Sequence, residues 1–136
     1  ELANLCREQS HHNIKLWPCA AFSKNELIHF SGEGESGNIN PLGNITIQGV
    51  ALDDALPNFQ PTYIKMDIEG SEIDALWGAK AMISKWRPRL GISLYHRPTH
   101  LWEIPLLVAD WNLDYYFAIR PHGFNGFDLV FYAIPN

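Results

Sequence analysis

An α/β sheet, parallel in its middle and finished at its C-terminal edge by an antiparallel hairpin, is the fold class this sequence predicts. Three observations predict it. The β-branched, apolar run Tyr63-Ile64-Lys65-Met66-Asp67-Ile68 hands over at Glu69-Gly70-Ser71-Glu72 to a helix-periodic segment, as a buried strand passes into its crossover helix. Leu90 to His96 is a near-continuous apolar run, the pattern of a parallel strand covered on both faces. Tyr115 to Arg120 and Asp128 to Ile134 are strand-like runs joined by the short, Gly-containing segment Pro121 to Phe127, which is too brief for a crossover and implies a hairpin. With 136 residues, 46% of them hydrophobic, the chain is of single-domain size and can bury a core, so residues 1–136 are expected to form one α/β domain.

The remaining elements follow in chain order. Leu2, Leu5, Cys6 and Gln9 share one helical face, so Glu1 to Ser10 reads as the tail of an amphipathic helix, and His11-His12-Asn13 as a solvated turn. Ile14 to Ala21 is expected to be a strand. It ends in Cys19-Ala20-Ala21, small residues that permit either tight packing or the approach of a flat ligand, and the residues alone favour packing. Glu26 to Ser31 is a second strand. Gly32-Glu33-Gly34-Glu35-Ser36-Gly37 matches G-x-G-x-x-G literally, but no helix follows to offer its N-terminus to a phosphate, and two glutamates would repel one; it reads as a loop. Ile45 to Val50 is a strand. Leu52 to Pro57 is a short helical turn with Asp53 and Asp54 at the end the helix dipole favours. In the long helix after the organising strand, Ser71 is the expected N-cap with Asp74 three residues on. Ile73, Leu76, Trp77 and Ile83 form the expected buried stripe, and Pro88 is the stop. Pro105 is placed at the first position of a helix running Leu106 to Trp111.

Charge and cysteine content narrow the functional classes. A net charge of -5 supplies no electrostatic reason to bind nucleic acid, which is therefore not expected as a partner. Cys6 and Cys19 have no metal-ligand spacing and make no disulfide framework, which fits free thiols in a reducing, cytoplasmic setting. No apolar run approaches the ~20 residues of a membrane span, and a membrane is not expected as a partner either.

The chemistry-bearing residues gather at strand ends. In open α/β sheets ligands bind beyond the carboxyl ends of the strands, which puts Asp67 and Glu69 first among the candidates. His96, ending the neighbouring apolar run, is the titratable base best suited to neutral pH. Each has a plainer reading: Glu69 as a dipole-favoured residue at a helix start, and His96 as a hydrogen-bonded structural residue.

Ile64-Lys65-Met66-Asp67-Ile68-Glu69-Gly70-Ser71-Glu72, followed by Leu76-Trp77-Gly78-Ala79 and Arg87-Pro88, resembles the FkbM-type methyltransferases. So do Tyr95-His96, Leu101-Trp102-Glu103-Ile104-Pro105 and the closing Tyr132-Ala133-Ile134-Pro135, and the likeness runs from about residue 13 to the C-terminus. The resemblance implies a Rossmann-like, mostly parallel sheet, S-adenosylmethionine as cofactor, and methyl transfer to a hydroxyl of a sugar, glycan or other small metabolite. It makes Tyr63 to Ile68 a central fourth strand and Ile14 to Ala21 a third, with Ala20 and Ala21 beside the adenine. Asp67 would stand at the boundary of cofactor and acceptor, Glu69 would assist, and His96 would serve as base. The family's glycine-rich loop and its first two strands do not precede Glu1. The chain is therefore expected to be the C-terminal portion of a longer methyltransferase domain, inactive by itself. Two other classes compete: a non-catalytic remnant or interaction module, and a metal-dependent hydrolase using Asp67, Glu69 and His96.

Overall fold

The computed structural model describes residues 14–31, 37–123 and 128–136. The amphipathic tail at 1–10, the His11-His12 turn, most of the glycine-rich loop and the middle of the last connection lie outside the described residues. Strands β1 (Ala20–Ala21), β2 (Glu26–Ser31), β3 (Asn38–Ile39) and β4 (Ile45–Val50) form one sheet in the order β1-β4-β2-β3. Strands β5 (Tyr63–Met66), β6 (Arg89–Ser93), β7 (Tyr115–Pro121) and β8 (Leu129–Pro135) form a second in the order β5-β6-β8-β7. Helices α1 (Leu52–Ala55), α2 (Glu72–Gly78), α3 (Lys80–Trp86) and α4 (His100–Asp110) complete the described elements.

The fold is mixed α/β, but in place of one mostly parallel sheet there are two mixed ones. Only β1–β4 and β5–β6 pair in parallel; the other four pairings are antiparallel. The predicted terminal hairpin is present as β7–β8, in register from Tyr115↔Pro135 to Pro121↔Leu129. Its second strand also inserts between β7 and β6. That insertion is what mixes the sheet, because so short a link can only return antiparallel. Among the described strands β5 pairs with β6 alone. The strand expected over Ile14 to Ala21 shrinks to two residues, since Pro18 has no N–H to give a ladder and residues 14–18 are exposed.

The helix after β5 is two helices, hinged at Ala79, whose φ of -115° and ψ of 5° leave the helical region. Gly78 passes so close to the Phe22 carbonyl that a Cβ there would overlap it, so the helix rides directly over the chain leaving β1. Ser71 makes no side-chain cap bond and the expected Ser71/Asp74 capping pair does not form. The neighbouring Glu72 turns back, and its Oε1 accepts the Ile68 N–H at 3.0 Å. The break at Ala79 is capped from afar: Asp53 accepts the Ala81 and Met82 N–H groups at 2.8 and 2.7 Å. Helix α4 begins at His100 and not at Pro105, which sits inside it. Pro105 cannot donate to the Leu101 carbonyl, and Leu101 lies on the exposed side where that loss costs least.

The core is built from alternation in the strands and stripes in the helices. Ile64 and Met66 of β5 turn inward while Tyr63 and Lys65 turn out. Leu90 and Ile92 of β6 and Phe131 and Ala133 of β8 meet Leu76, Ala79 and Ile83 of the broken helix and Ile104 and Val108 of α4. Trp77, expected in the buried stripe, is 47% exposed; its ring meets Trp111 edge-on at 6.2 Å with the Lys80 ammonium 4.9 Å above it. The outward rows of the second sheet run Lys65–Gly91–Tyr132 and, one pleat further, Ser93 beside Val130. These rows bear on the site.

Candidate active site

The site is assembled where β5 and β6 end. Past Met66 the chain places Asp67, then turns sharply: the Ser71 N–H bonds the Ile68 carbonyl at 3.2 Å, and Glu69 and Gly70 both take positive φ, 55° and 95°. Positive φ at both central positions is the signature of a type I′ turn. Glycine adopts it freely; glutamate does not. The turn brings Asp67, Glu69 and Glu72 around one imidazole, that of His96, which stands beyond the end of β6.

His96 has 7% of its side chain exposed and Glu72 none. His96 Nδ1 meets Glu72 Oε1 at 2.7 Å. A carboxylate only accepts, and Glu72 Oε1 already takes the Ile68 N–H, so Nδ1 carries the proton and donates it. The other ring nitrogen, Nε2, points between Asp67 Oδ1 at 3.4 Å and Glu69 Oε2 at 3.7 Å, and has no hydrogen-bond partner. A buried, unpartnered imidazole nitrogen held in one tautomer and facing two carboxylates is prepared to take a proton from something placed between them.

Asp67 is held differently. Tyr95 donates its hydroxyl to Oδ1 at 2.7 Å and Lys65 its ammonium to Oδ2 at 3.0 Å. Partial burial acts to raise the Asp67 carboxyl, but the hydrogen bonds from Tyr95, Lys65 and Ser93 outweigh it and hold the group below the usual carboxylate range. The same bond, aided by burial, pushes the Tyr95 phenol up to about 12, so Tyr95 remains a donor. Asp67 is thus a fixed negative charge. His100, buried at the start of α4, sets Nδ1 3.3 Å from Glu72 Oε2; burial drives its pKa down against the attraction of Glu72.

Two cavities flank this cluster. The first, about 320 Å³, lies between the sheets and is lined by Ala20, Ala21, Phe30, Ile39 and Ile47 from one side and Ile68, Glu69 and Ser71 from the other. The second, about 260 Å³, lies over the outward rows of the second sheet and is bordered by Lys65, Asp67, Ser93, Tyr95, His122, Asp128 and Tyr132. Of the residues singled out from sequence, Asp67, Glu69 and His96 come together. Ala20 and Ala21 meet Glu69 across the first cavity, while Asp67 borders the second.

A family model for the methyltransferase FkbM domain matches residues 4–124. The chain belongs to that family. The crystal structure of methyltransferase FkbM from Methylobacillus flagellatus KT superposes with a TM-score of 0.78 at 32% identity, covering 97% of this chain and 32% of that one. The chain therefore spans about a third of the length of its structural neighbour. No curated protein matches. The residues of the site can be read against the chemistry for which that family is named. The metal-hydrolase alternative lacks its geometry: among the described residues no group of three or more His, Cys, Asp and Glu side chains could hold a metal ion.

Sequence reasoning passed over Glu72, Tyr95 and Lys65. Glu72 had a visible signal, because residues 72, 76, 79 and 83 share one helical face, so the buried stripe is headed by a carboxylate. Lys65 and Asp67 had one too, being two residues apart on the same face of a strand. Tyr95 had none, as its reach to Asp67 depends on the path the chain takes once β6 has ended at Ser93.

Proposed function

We propose that the chain forms part of an S-adenosylmethionine-dependent O-methyltransferase with a Rossmann-like catalytic domain, in which the first cavity receives the adenosyl end of the cofactor and His96 deprotonates a hydroxyl acceptor. The observation that carries this reading is the unpartnered Nε2 of His96, aimed between Asp67, which borders the second cavity, and Glu69, which borders the first. The first cavity fits the group. Alanines at 20 and 21 leave room for a flat base, branched apolar side chains cover it, and its size is at the lower end for small-molecule sites. Glu69, on its rim, is a carboxylate of the kind that suits ribose hydroxyls or a positively charged sulfur.

When bound, S-adenosylmethionine supplies an electrophilic methyl group on a sulfonium centre. The protein's residues do the rest. Asp67, kept ionised by Tyr95 and Lys65, orients the acceptor hydroxyl and favours positive charge nearby. His96 Nε2 takes the hydroxyl proton as the oxygen attacks. Glu72, bonded to Nδ1–H, fixes the tautomer and stabilises the imidazolium that results. Positioning accounts for most of the acceleration, since both reactants are held against one turn.

Isothermal titration of the intact protein with S-adenosylmethionine tests the assignment. Binding is expected, with at least a tenfold loss in Ala20→Trp, which fills the cavity, and little change in His96→Ala. Asp67→Ala should abolish methyl transfer while leaving the circular dichroism spectrum intact. Failure of the intact protein to bind the cofactor, or near-normal turnover by Asp67→Ala, overturns the reading.

A further inference from the structure

Glu72 has a second oxygen that the chemistry above does not use. Its Oε1 is occupied twice, by the Ile68 N–H at 3.0 Å and by His96 Nδ1 at 2.7 Å. Its Oε2 is sealed from solvent and has no hydrogen-bond partner, although a carboxylate oxygen can only accept and a buried charge short of donors is costly. His100 Nδ1 stands 3.3 Å from that oxygen, equally sealed and equally without a partner. The juxtaposition is made by two connections. Glu72 opens α2 after the turn that follows β5, whereas His96 and His100 both belong to the segment between β6 and the first residue of α4. There the Arg97 carbonyl accepts the His100 N–H at 3.0 Å, and the two imidazoles come to the two oxygens of one carboxylate. His100, with 2% of its side chain exposed, borders neither cavity. Any effect it has on the reaction passes through Glu72.

We infer that His100 is a positioning residue for the proposed reaction: carrying its proton on Nδ1, it donates to Glu72 Oε2 and so holds Oε1 on the His96 imidazole. The kinetic consequence rests on the methyl-transfer reading; the ordered array His100–Glu72–His96 does not. The 3.3 Å contact is short enough for a hydrogen bond but is not aligned as one. Hydrogen bonds at catalytic sites are often long or bent at rest and tighten as charge develops. Charge develops here when His96 Nε2 takes the hydroxyl proton. The imidazolium then pulls on Oε1, and a carboxylate tethered at Oε2 answers that pull without turning away. His100 has the charge state the task needs. Burial, joined by Arg97 and His96, lowers its pKa below the ordinary 6.5 and outweighs the raising effects of Glu72 and Glu103. At neutral pH it is therefore uncharged, with one N–H to give and no positive charge to compete with His96 for Glu72.

Nitrogen-15 NMR of the histidine side chains in the intact, labelled protein reads each ring nitrogen as protonated or bare. At neutral pH the expected pattern is a protonated Nδ1 and bare Nε2 at His96, and a protonated Nδ1 at His100. His100→Leu should release Glu72, so that His96 becomes a mixture of tautomers. Its kcat should fall on the order of tenfold, at the lower side of what general base catalysis contributes, with the KM for S-adenosylmethionine unchanged. His100→Asn, whose amide N–H stands in for Nδ1–H, should restore the single His96 tautomer and bring kcat back to within about threefold of the unmutated protein. A bare Nδ1 at His100 in the unmutated protein overturns the inference, even where neither variant folds. So does a folded His100→Leu in which the His96 tautomer or kcat is unaltered. Absence of turnover by the unmutated protein, with both histidines in the expected tautomers, would instead strike the methyl-transfer reading and leave the array standing.

Discussion

Glu72 is the residue on which the site's geometry turns. Fully buried, it accepts from the Ile68 N–H and the His96 Nδ1–H with the same oxygen, so it fixes the strand-end turn and the His96 imidazole together. Its replacement should separate two kinds of loss. Glu72→Ala leaves both donors buried without a partner, which costs about 3 kcal/mol of stability in a urea melt. Glu72→Gln keeps the shape but removes the charge that steadies the imidazolium. Its kcat should fall about 100-fold, within the range for general base catalysis, with cofactor affinity unchanged. An unaltered kcat in Glu72→Gln would reduce Glu72 to a structural residue.

At the scale of elements, the hinge at Ala79 depends on a carboxylate from elsewhere in the chain. Asp53 spans the N-terminus of α3 with both oxygens, and nearby Asn25 ties the same region down by accepting the Ala51 N–H at 3.0 Å and donating to Asp54 at 2.9 Å. Asp53→Ala should lower stability by about 1–2 kcal/mol, seen as a lower urea midpoint at constant m-value, while Asp54→Ala has only one exposed bond to lose. What the sequence made legible here divides on physical grounds. Strands β2, β4, β6, β7 and β8 and helix α1 were readable from local pattern, because their alternation or apolar runs reflect the face they bury. The break at Ala79, the cap by Asp53 and the early start of α4 were not, because each depends on a partner distant in sequence. Trp77 misled for a similar reason: its spacing fits the stripe, but Trp111 and Lys80 offer it a surface niche. Asp67, Glu69 and His96 could be picked out as a group since strand ends converge, whereas the separation of the two cavities is a matter of sheet register.

For the molecule as a whole, the buried histidine at 100 couples stability to pH. Its folded pKa lies below the ordinary 6.5 because burial penalises the charged form. Below pH 6.5 the unfolded chain therefore binds a proton that the folded chain does not, and stability falls as pH drops, by at most about 1.4 kcal/mol per pH unit from this group. Asp67, lowered in the folded state, acts in a separate window: its contribution is present above the ordinary 3.8 and is lost as pH falls through the folded value. Urea midpoints at pH 7.5, 5.5 and 4.0 should descend in that order. His100→Gln should flatten the step between 7.5 and 5.5, and an equal slope in that variant would assign the sensitivity elsewhere. The sheet order β5-β6-β8-β7 also bears on the whole: with β8 alone reversed, β5, β6 and β7 run the same way and deliver their ends to one rim.

The left-handed backbone at Glu69 has a practical consequence for anyone improving this protein. A side chain there costs about 1–2 kcal/mol that glycine would not, so a screen scored by melting temperature alone will enrich Glu69→Gly. Such winners would be sturdier and would have discarded one of the two carboxylates facing His96 Nε2. On the proposed mechanism, thermostability and turnover are set against each other at a single dihedral angle, and a directed-evolution campaign on this scaffold must assay both in every round.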